Sequence, residues 1–546
     1  MRRRWRAALA GLCLLAVALL GASPRSHFDV RDFGARGDGL TLDTDAINRA
    51  IEAAAGAGGG TVYFPPGTYA SFSIRLKSHV ALYLERGTTL LAALPAKGGG
   101  RYDLPEPNEW ALYQDFGHSH WQNSLIWGIG LEDVAILGPG TIDGRGLTTR
   151  GPGAPWSRGK SGDRPLSMGP AAGATSDPEV AELRAMEGQG NKAIALKLCR
   201  NVTLRDFTVR DGGHFALLAT GVDNLSIEGL RIDTNRDGLD IDACRNVHIA
   251  NVSVNSPNDD AIVLKSSFAL GFARATENVT ITNCQVSGYD PGTLLDGTFR
   301  RTHERAPDRD GPTGRIKLGT ESNGGFRNIV LSNCVFDRSR GLALEVVDGG
   351  TLEDVAVTNV TMRDVTTAPL FIRLGHRGRG PGPPPVGTIR RIAISNLLVA
   401  DAEPRYASII AGIPGHPVED VQLSNVHIVY RGGGTRQDAL RDPPENEAAY
   451  PEPSMFGTVP AYGLFIRHAR NVTVRDVDVT YSGEEQRPPV VLHDVAGIRF
   501  DRLRAPRAAE APFFLLREVS DLAVVGVPGL DDTRLPKVEA GALPSR

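Results

Sequence analysis

Two consecutive stretches decide the architecture: Asn224–Asp242, NLSIEGLRIDTNRDGLDID, and Asn246–Leu264, NVHIANVSVNSPNDDAIVL. They match in phase, each opening on Asn, alternating apolar residues, then turning into a cluster of acids. Asp237 lies thirteen residues after Asn224, and Asp259 lies thirteen after Asn246. The opening element returns at Asn201, Asn278, Asn328, Asp354, Arg391, Asp420 and Asn471. Its shortest spacings are 22 and 23 residues, which suits one coil of three short strands and three turns. The alternating apolar residues of each strand would face a common lumen. Asn recurring at one turn would stack into a ladder of amide hydrogen bonds. The LxxLxLxxN signature and helical segments of a leucine-rich horseshoe are absent. The chain is therefore expected to be all-β, a solenoid of stacked parallel coils.

Stacking places Asp237, Asp259 and the neighbouring Asp260 on one face. Strands in such a stack lie ~4.8 Å apart. Acids at that spacing repel, so one should hold its proton more tightly. A carboxylic acid beside a carboxylate is the equipment for acid–base cleavage of a glycosidic bond.

Bulk properties agree. At 546 residues the chain exceeds a usual single core of ~250–300 residues, which favours a repeat array. Its 60 basic and 63 acidic residues leave a net charge of −3, against a basic nucleic-acid binder. The start, MRRRWR followed by an apolar run to about Leu20 and then GAS, reads as a secretory signal peptide over residues 1–23. Consecutive arginines leave twin-arginine export open, and a periplasmic or secreted location is expected. Residues 27–525 form the single solenoid domain, and the polar tail 526–546 is expected to be weakly ordered. A helix over about Thr44–Ala55, with Asp43 or Thr44 as N-cap, is suited to plug the open end. Cys199, Cys244, Cys284 and Cys334 occupy repeat positions and read as buried small hydrophobes. Cys284 and Cys334 are placed on adjacent coils. Long irregular stretches at 146–190, around 296–315 and at 432–463 interrupt the array. The 50 residues from Asn278 to Asn328 would hold either an extra coil or a long loop.

Asn235–Arg236–Asp237–Gly238, then Asp259–Asp260, then Gly319–Thr320–Glu321 with Gly324–Gly325, resemble the motif series of the family 28 glycoside hydrolases. The resemblance spans Phe33 to at least the repeat at Asn471. It implies a right-handed parallel β-helix and hydrolysis of pectic polysaccharide or oligosaccharide with inversion, with no cofactor or metal. It also implies that Asp259 is the general acid and that Asp237 and Asp260 hold the attacking water. Carboxyls ~5 Å apart usually signal retention, so stacking alone would not have predicted inversion. Two family features are missing. The Gly-His-Gly histidine is replaced in Gly314–Arg315–Ile316, and the Arg-Ile-Lys cations read Ala343 and Glu345. Either the sugar there is neutral, or other cations substitute. Arg315 and Lys317 are candidates, with Arg300, Arg301, Arg305, Arg309, Arg373 and Arg377 behind them.

The substrate-binding set is thus Asn235, His214, Lys265, Arg315, Lys317, Glu321 and Glu345. His214 shares the phase of Asp237 one coil earlier and would partly replace the lost histidine. Trp110, Trp121 and Trp127 are sugar-stacking or core residues. A monomer is expected, with no nucleic-acid partner and no membrane contact after leader cleavage. A glycosidase acting on a non-galacturonate linkage such as in rhamnogalacturonan, a calcium-dependent polysaccharide lyase and a non-catalytic carbohydrate-binding β-helix remain the alternatives.

Overall fold

The computed structural model of the chain describes residues 26–95, 100–114, 116–149, 188–382 and 384–543. The leader expected at 1–23 and most of the 146–190 insertion lie outside the described residues. Successive coils stack into a right-handed parallel β-helix. Its first sheet includes Lys192–Lys197, Phe215–Thr220, Asp237–Asp242, Ile262–Ser266, Ile316–Ser322, Leu342–Val346 and Leu370–Leu374. These strands pair in parallel, so Ile194, Leu217, Leu239, Ile262, Ile316, Leu342 and Leu370 form one column. All seven are buried in the lumen. The period-2 pleat then points Asp240, Lys265, Lys317 and Glu345 outward, and the three acids stand where the chain enters these strands.

The repeat element opens the second sheet, through Arg200–Arg205, Asp223–Glu228, Arg245–Ala250 and Thr276–Thr282. A third sheet follows, through Thr208–Arg210, Arg231–Asp233, Ser253–Asn255 and Gln285–Ser287. The recurring Asn takes the left-handed conformation, with φ of 57° at Asn201, 56° at Asn224 and 55° at Asn246. Asn tolerates that region better than other side chains. Its amide also donates to the preceding coil, Asn224 to Asn201 at 2.8 Å and Asn246 to Asn224 at 3.1 Å. Asn278 and Asn328 extend the ladder. Asn246→Ala removes two ladder bonds and places Ala in the left-handed region. A loss of about 1–2 kcal/mol is expected in denaturant unfolding.

The helix Thr44–Gly56 buries Ala46, Ile47, Ala50, Ile51 and Ala54 in the same core as the first coils. Asp43 stands at its N-cap position but makes no cap bond. Its carboxylate instead accepts from the amides of Arg36 and Gly37, and Thr44 Oγ1 accepts from the amide of Phe72. At the other end the tail is ordered, contrary to expectation. Thr533–Leu543 pairs antiparallel with Phe514–Val525. Leu535, Val538 and Leu543 pack on the core and cover the last edge.

Ile262–Ser266 pairs directly with Ile316–Ser322, so the 50 residues from Asn278 to Asn328 hold a long loop and no extra coil. The register of Gln285 with Val335 sets Cys284 opposite Cys334. All four cysteines among the described residues are buried and unbridged. Two further loops lie over the outer face of the first sheet. Trp121 packs on Ala195, Phe215 and Leu218 before the acids. Met455 and Phe456 pack on Ala343, Phe371, Ile409 and Phe465 beyond them.

Candidate active site

Asp237 ends a turn and begins its strand, and Asp259 and Asp260 occupy the turn one coil later. Gly238 makes this stacking possible: a Cβ there would stand 2.4 Å from Ala261 O and from Val254 Cγ1. The structure brings all three predicted acids together, with their near oxygens within 4.8 Å of one another. Asp237 is 3% exposed and Asp260 2%, whereas the Asp259 side chain is 25% exposed and faces outward.

Their environments differ. Burial pushes the Asp237 carboxyl well above its ordinary value, and the charge of Asp259 adds to the effect. Its Oδ1 has no hydrogen-bond partner. Burial also acts on Asp260, but Lys317 and Arg315 outweigh it and hold that carboxyl well below the usual range. Arg315 Nε donates to Asp260 Oδ1 at 2.7 Å, and Lys317 Nζ lies 3.4 Å from Oδ2. Asp259 Oδ2 accepts from Arg236 Nη2 at 2.5 Å. One acid thus holds its proton more tightly than usual, beside two that are paired with cations.

Arg315 and Lys317 stand beside the acids, and both are paired with carboxylates of the protein itself. Arg315 also donates to Glu452, from Nη1 at 3.0 Å and Nη2 at 2.5 Å. Lys317 Nζ lies 3.5 Å from Glu345 Oε2 and donates to Tyr450 Oη at 3.3 Å. Glu345 therefore pairs with this lysine and not with a loop arginine. Burial pushes its carboxyl up to about 7, against the opposing charges of Lys317 and Arg315.

Lys265 and Glu321 form a second buried group. Lys265 Nζ is 3.1 Å from Glu321 Oε2 and 3.5 Å from Asp240 Oδ2. Burial favours neutral Glu321, yet Lys265 and Arg377 hold it well below its ordinary value. Arg377 reaches Glu321 Oε1 at 3.4 Å and also pairs with Asp348. His118 Nε2 lies 2.9 Å from Asp240 Oδ2.

Other predicted residues take different places. His214 is buried against Phe215, its Nδ1 3.2 Å from Thr149 O, and desolvation keeps it neutral. Its predicted stand-in role for the lost histidine has no bond to the acids behind it. Asn235 Oδ1 accepts from Asn258 Nδ2 at 3.2 Å, and Asn258 Oδ1 meets His303 Nε2 at 2.7 Å. Arg373 donates to the carbonyls of Gly412 and Glu445, and Arg301 pairs with Asp337 and Asp364. Trp121 is a core residue that donates to Thr220, Trp127 donates to Asp103, and Trp110 packs on Phe268. Arg236, His118, Asp240, Tyr450 and Glu452 were missed. Arg236 stood inside a quoted motif; Tyr450 and Glu452 carry no local signal.

Residues 27–84 match a family model described as rhamnogalacturonase A/epimerase, pectate lyase-like, and residues 180–301 match one for a right-handed β-helix region. A probable polygalacturonase of Vitis vinifera is 25% identical over 449 residues, covering 77% of each chain. An exo-poly-α-D-galacturonosidase of Dickeya chrysanthemi is 22% identical over 377 residues, 64% of this chain and 57% of that one. The solved family 28 exopolygalacturonase of Yersinia enterocolitica shares the fold. Its TM-score is 0.59 at 21% identity, over 88% of this chain and 79% of that one.

Proposed function

We propose, from the premise that this chain is a family 28-like glycoside hydrolase, that it removes sugars from the end of a pectic oligosaccharide by inverting acid–base hydrolysis. The carrying observation is the set of three carboxyls with opposed environments, one buried and holding its proton more tightly than usual, two paired with cations. The carboxyls of Asp237 and Asp259 lie within 4.8 Å of one another, close enough for a proton to pass between them. With that proton on the outward-facing Asp259, it passes to the glycosidic oxygen as the bond to the anomeric carbon breaks. Asp237 and Asp260 hold the attacking water, and Asp237 takes its proton. Action at a chain end is supported by the loops that cover the outer face on both sides of the acids. The relatives that act on galacturonan support the pectic assignment. Secretion into the periplasm or beyond fits this substrate.

A calcium-dependent elimination is less well supported, because Asp259 and Asp260 are already neutralised by Arg236, Arg315 and Lys317. Digests of pectic oligosaccharides should yield new reducing ends with no rise in ultraviolet absorbance. A rise in absorbance would mean a lyase.

The pH profile follows from the shifts. Asp260 stays ionised far into acid, and the proton held by Asp237 persists above the pH at which an ordinary aspartate loses it. The alkaline limb of kcat/KM should therefore lie above the usual carboxylate range of about 4. Replacing Asp237 with Asn should move that limb toward lower pH in any residual activity; an unchanged limb would assign the proton elsewhere.

A further inference from the structure

We infer that the sugar seated beside Asp260 is uncharged, and that Glu345 sets this preference by occupying Lys317. The inference rests on the hydrolase assignment for its location, and extends it to a substrate class. A uronate carboxylate needs an available cation or a dense set of donors. Around the acids the cations are already matched. Arg236 is paired with Asp259, Lys265 with Asp240 and Glu321, and Arg377 with Asp348 and Glu321. Arg340 is paired with Asp308 and Glu452, and Arg315 and Lys317 with Asp260, Glu452 and Glu345. Arg377 keeps Nη1 unpartnered, but two carboxylates share its charge.

Cations without an acid in range point elsewhere. Arg373, in register with Glu345, turns to two carbonyls. Lys192, two coils before Asp237, is 0% exposed and donates to Asn191 at 2.5 Å. Meanwhile Asp240 Oδ1 is a buried acceptor with no donor, and Asp237 Oδ1 has no hydrogen-bond partner. A sugar hydroxyl supplies a donor to such oxygens, whereas a uronate carboxylate supplies only more negative charge.

The test uses a linkage-matched pair, oligogalacturonate and the same oligosaccharide with its carboxyls reduced to alcohols. Binding is measured by calorimetry on Asp259→Asn protein at about pH 8.5, where the uronate is ionised and Glu345, pushed up to about 7, has also lost its proton. The reduced member should bind at least ten-fold more tightly. Adding Glu345→Gln should narrow the gap at least five-fold by tightening the uronate member, because Lys317 loses one of its carboxylate partners. Equal or tighter uronate binding, binding of neither member, or no effect of Glu345→Gln overturns the inference. Reducing ends are followed in parallel with the wild-type protein. Selective binding without release of reducing ends sinks the hydrolase assignment and leaves the neutral-sugar preference standing.

Discussion

Asp259→Asn is expected to lower kcat on an unactivated pectic oligosaccharide by about 10³-fold, within the usual range for loss of a general acid. The substitution keeps size and removes the proton. Asp259 Oδ1 accepts from the Asp260 amide at 3.0 Å, and Asn can keep that contact through its carbonyl. The fold should therefore be unchanged by circular dichroism. An aryl glycoside with a good leaving group needs no proton on the departing oxygen, so the variant should retain most of its activity on such a substrate. Asp237→Asn should lose activity on both substrates, because the attacking water then lacks its base. If the aryl substrate rescues Asp237→Asn and not Asp259→Asn, the two acids exchange roles.

Arg315→Met is expected to cost about 3–5 kcal/mol of stability at neutral pH, the range for breaking a buried ion pair from one side. Arg315 is 1% exposed and joins Asp260 to Glu452, so its loss strands two buried carboxylates. Lys317 still faces Asp260 and Arg340 still faces Glu452, which limits the damage at both ends. The sign with pH is fixed by the direction of the shift. The Asp260 carboxyl is lowered in the folded protein, so its contribution is present above the unfolded value of about 3.9 and is lost as pH falls. The gap between wild type and variant should thus be widest near pH 7 and shrink below about pH 4. Denaturant unfolding at the two pH values measures it. A gap that is flat with pH would mean that the arginine contributes packing rather than charge.

The coil register was legible because period-2 alternation and a 22-residue repeat are both local signals. The three acids were legible to within one residue: equal offsets from Asn224 and Asn246 put Asp259 over Asp237, whereas the register of Leu239 with Ile262 aligns Asp260 with Asp237 and leaves Asp259 beside them. Partners that arrive from insertions were not. Glu452 meets Arg315 across 137 residues of sequence, and His118 meets Asp240 across 122, with no pattern linking either pair. The cationic nature of Arg315 and Lys317 was readable, but their commitment to Asp260, Glu345 and Glu452 depends on loop placement. His214 shows the limit of phase arguments. Phe215, and not His214, stands in register with Asp237 one coil earlier, and the His214 ring packs on it. The tail misled because Leu535 and Val538 are sparse among polar residues, and its strand forms only against a preexisting edge.

The most direct test is proton magnetic resonance of a pectic oligosaccharide digest, followed from the first minutes after enzyme addition. Inverting hydrolysis of an α-linked chain predicts that the new reducing end appears first as the β anomer and then equilibrates by mutarotation, with no unsaturated proton signal. First appearance of the α anomer, an unsaturated product, or no new signal at all would contradict a three-carboxyl inverting hydrolase.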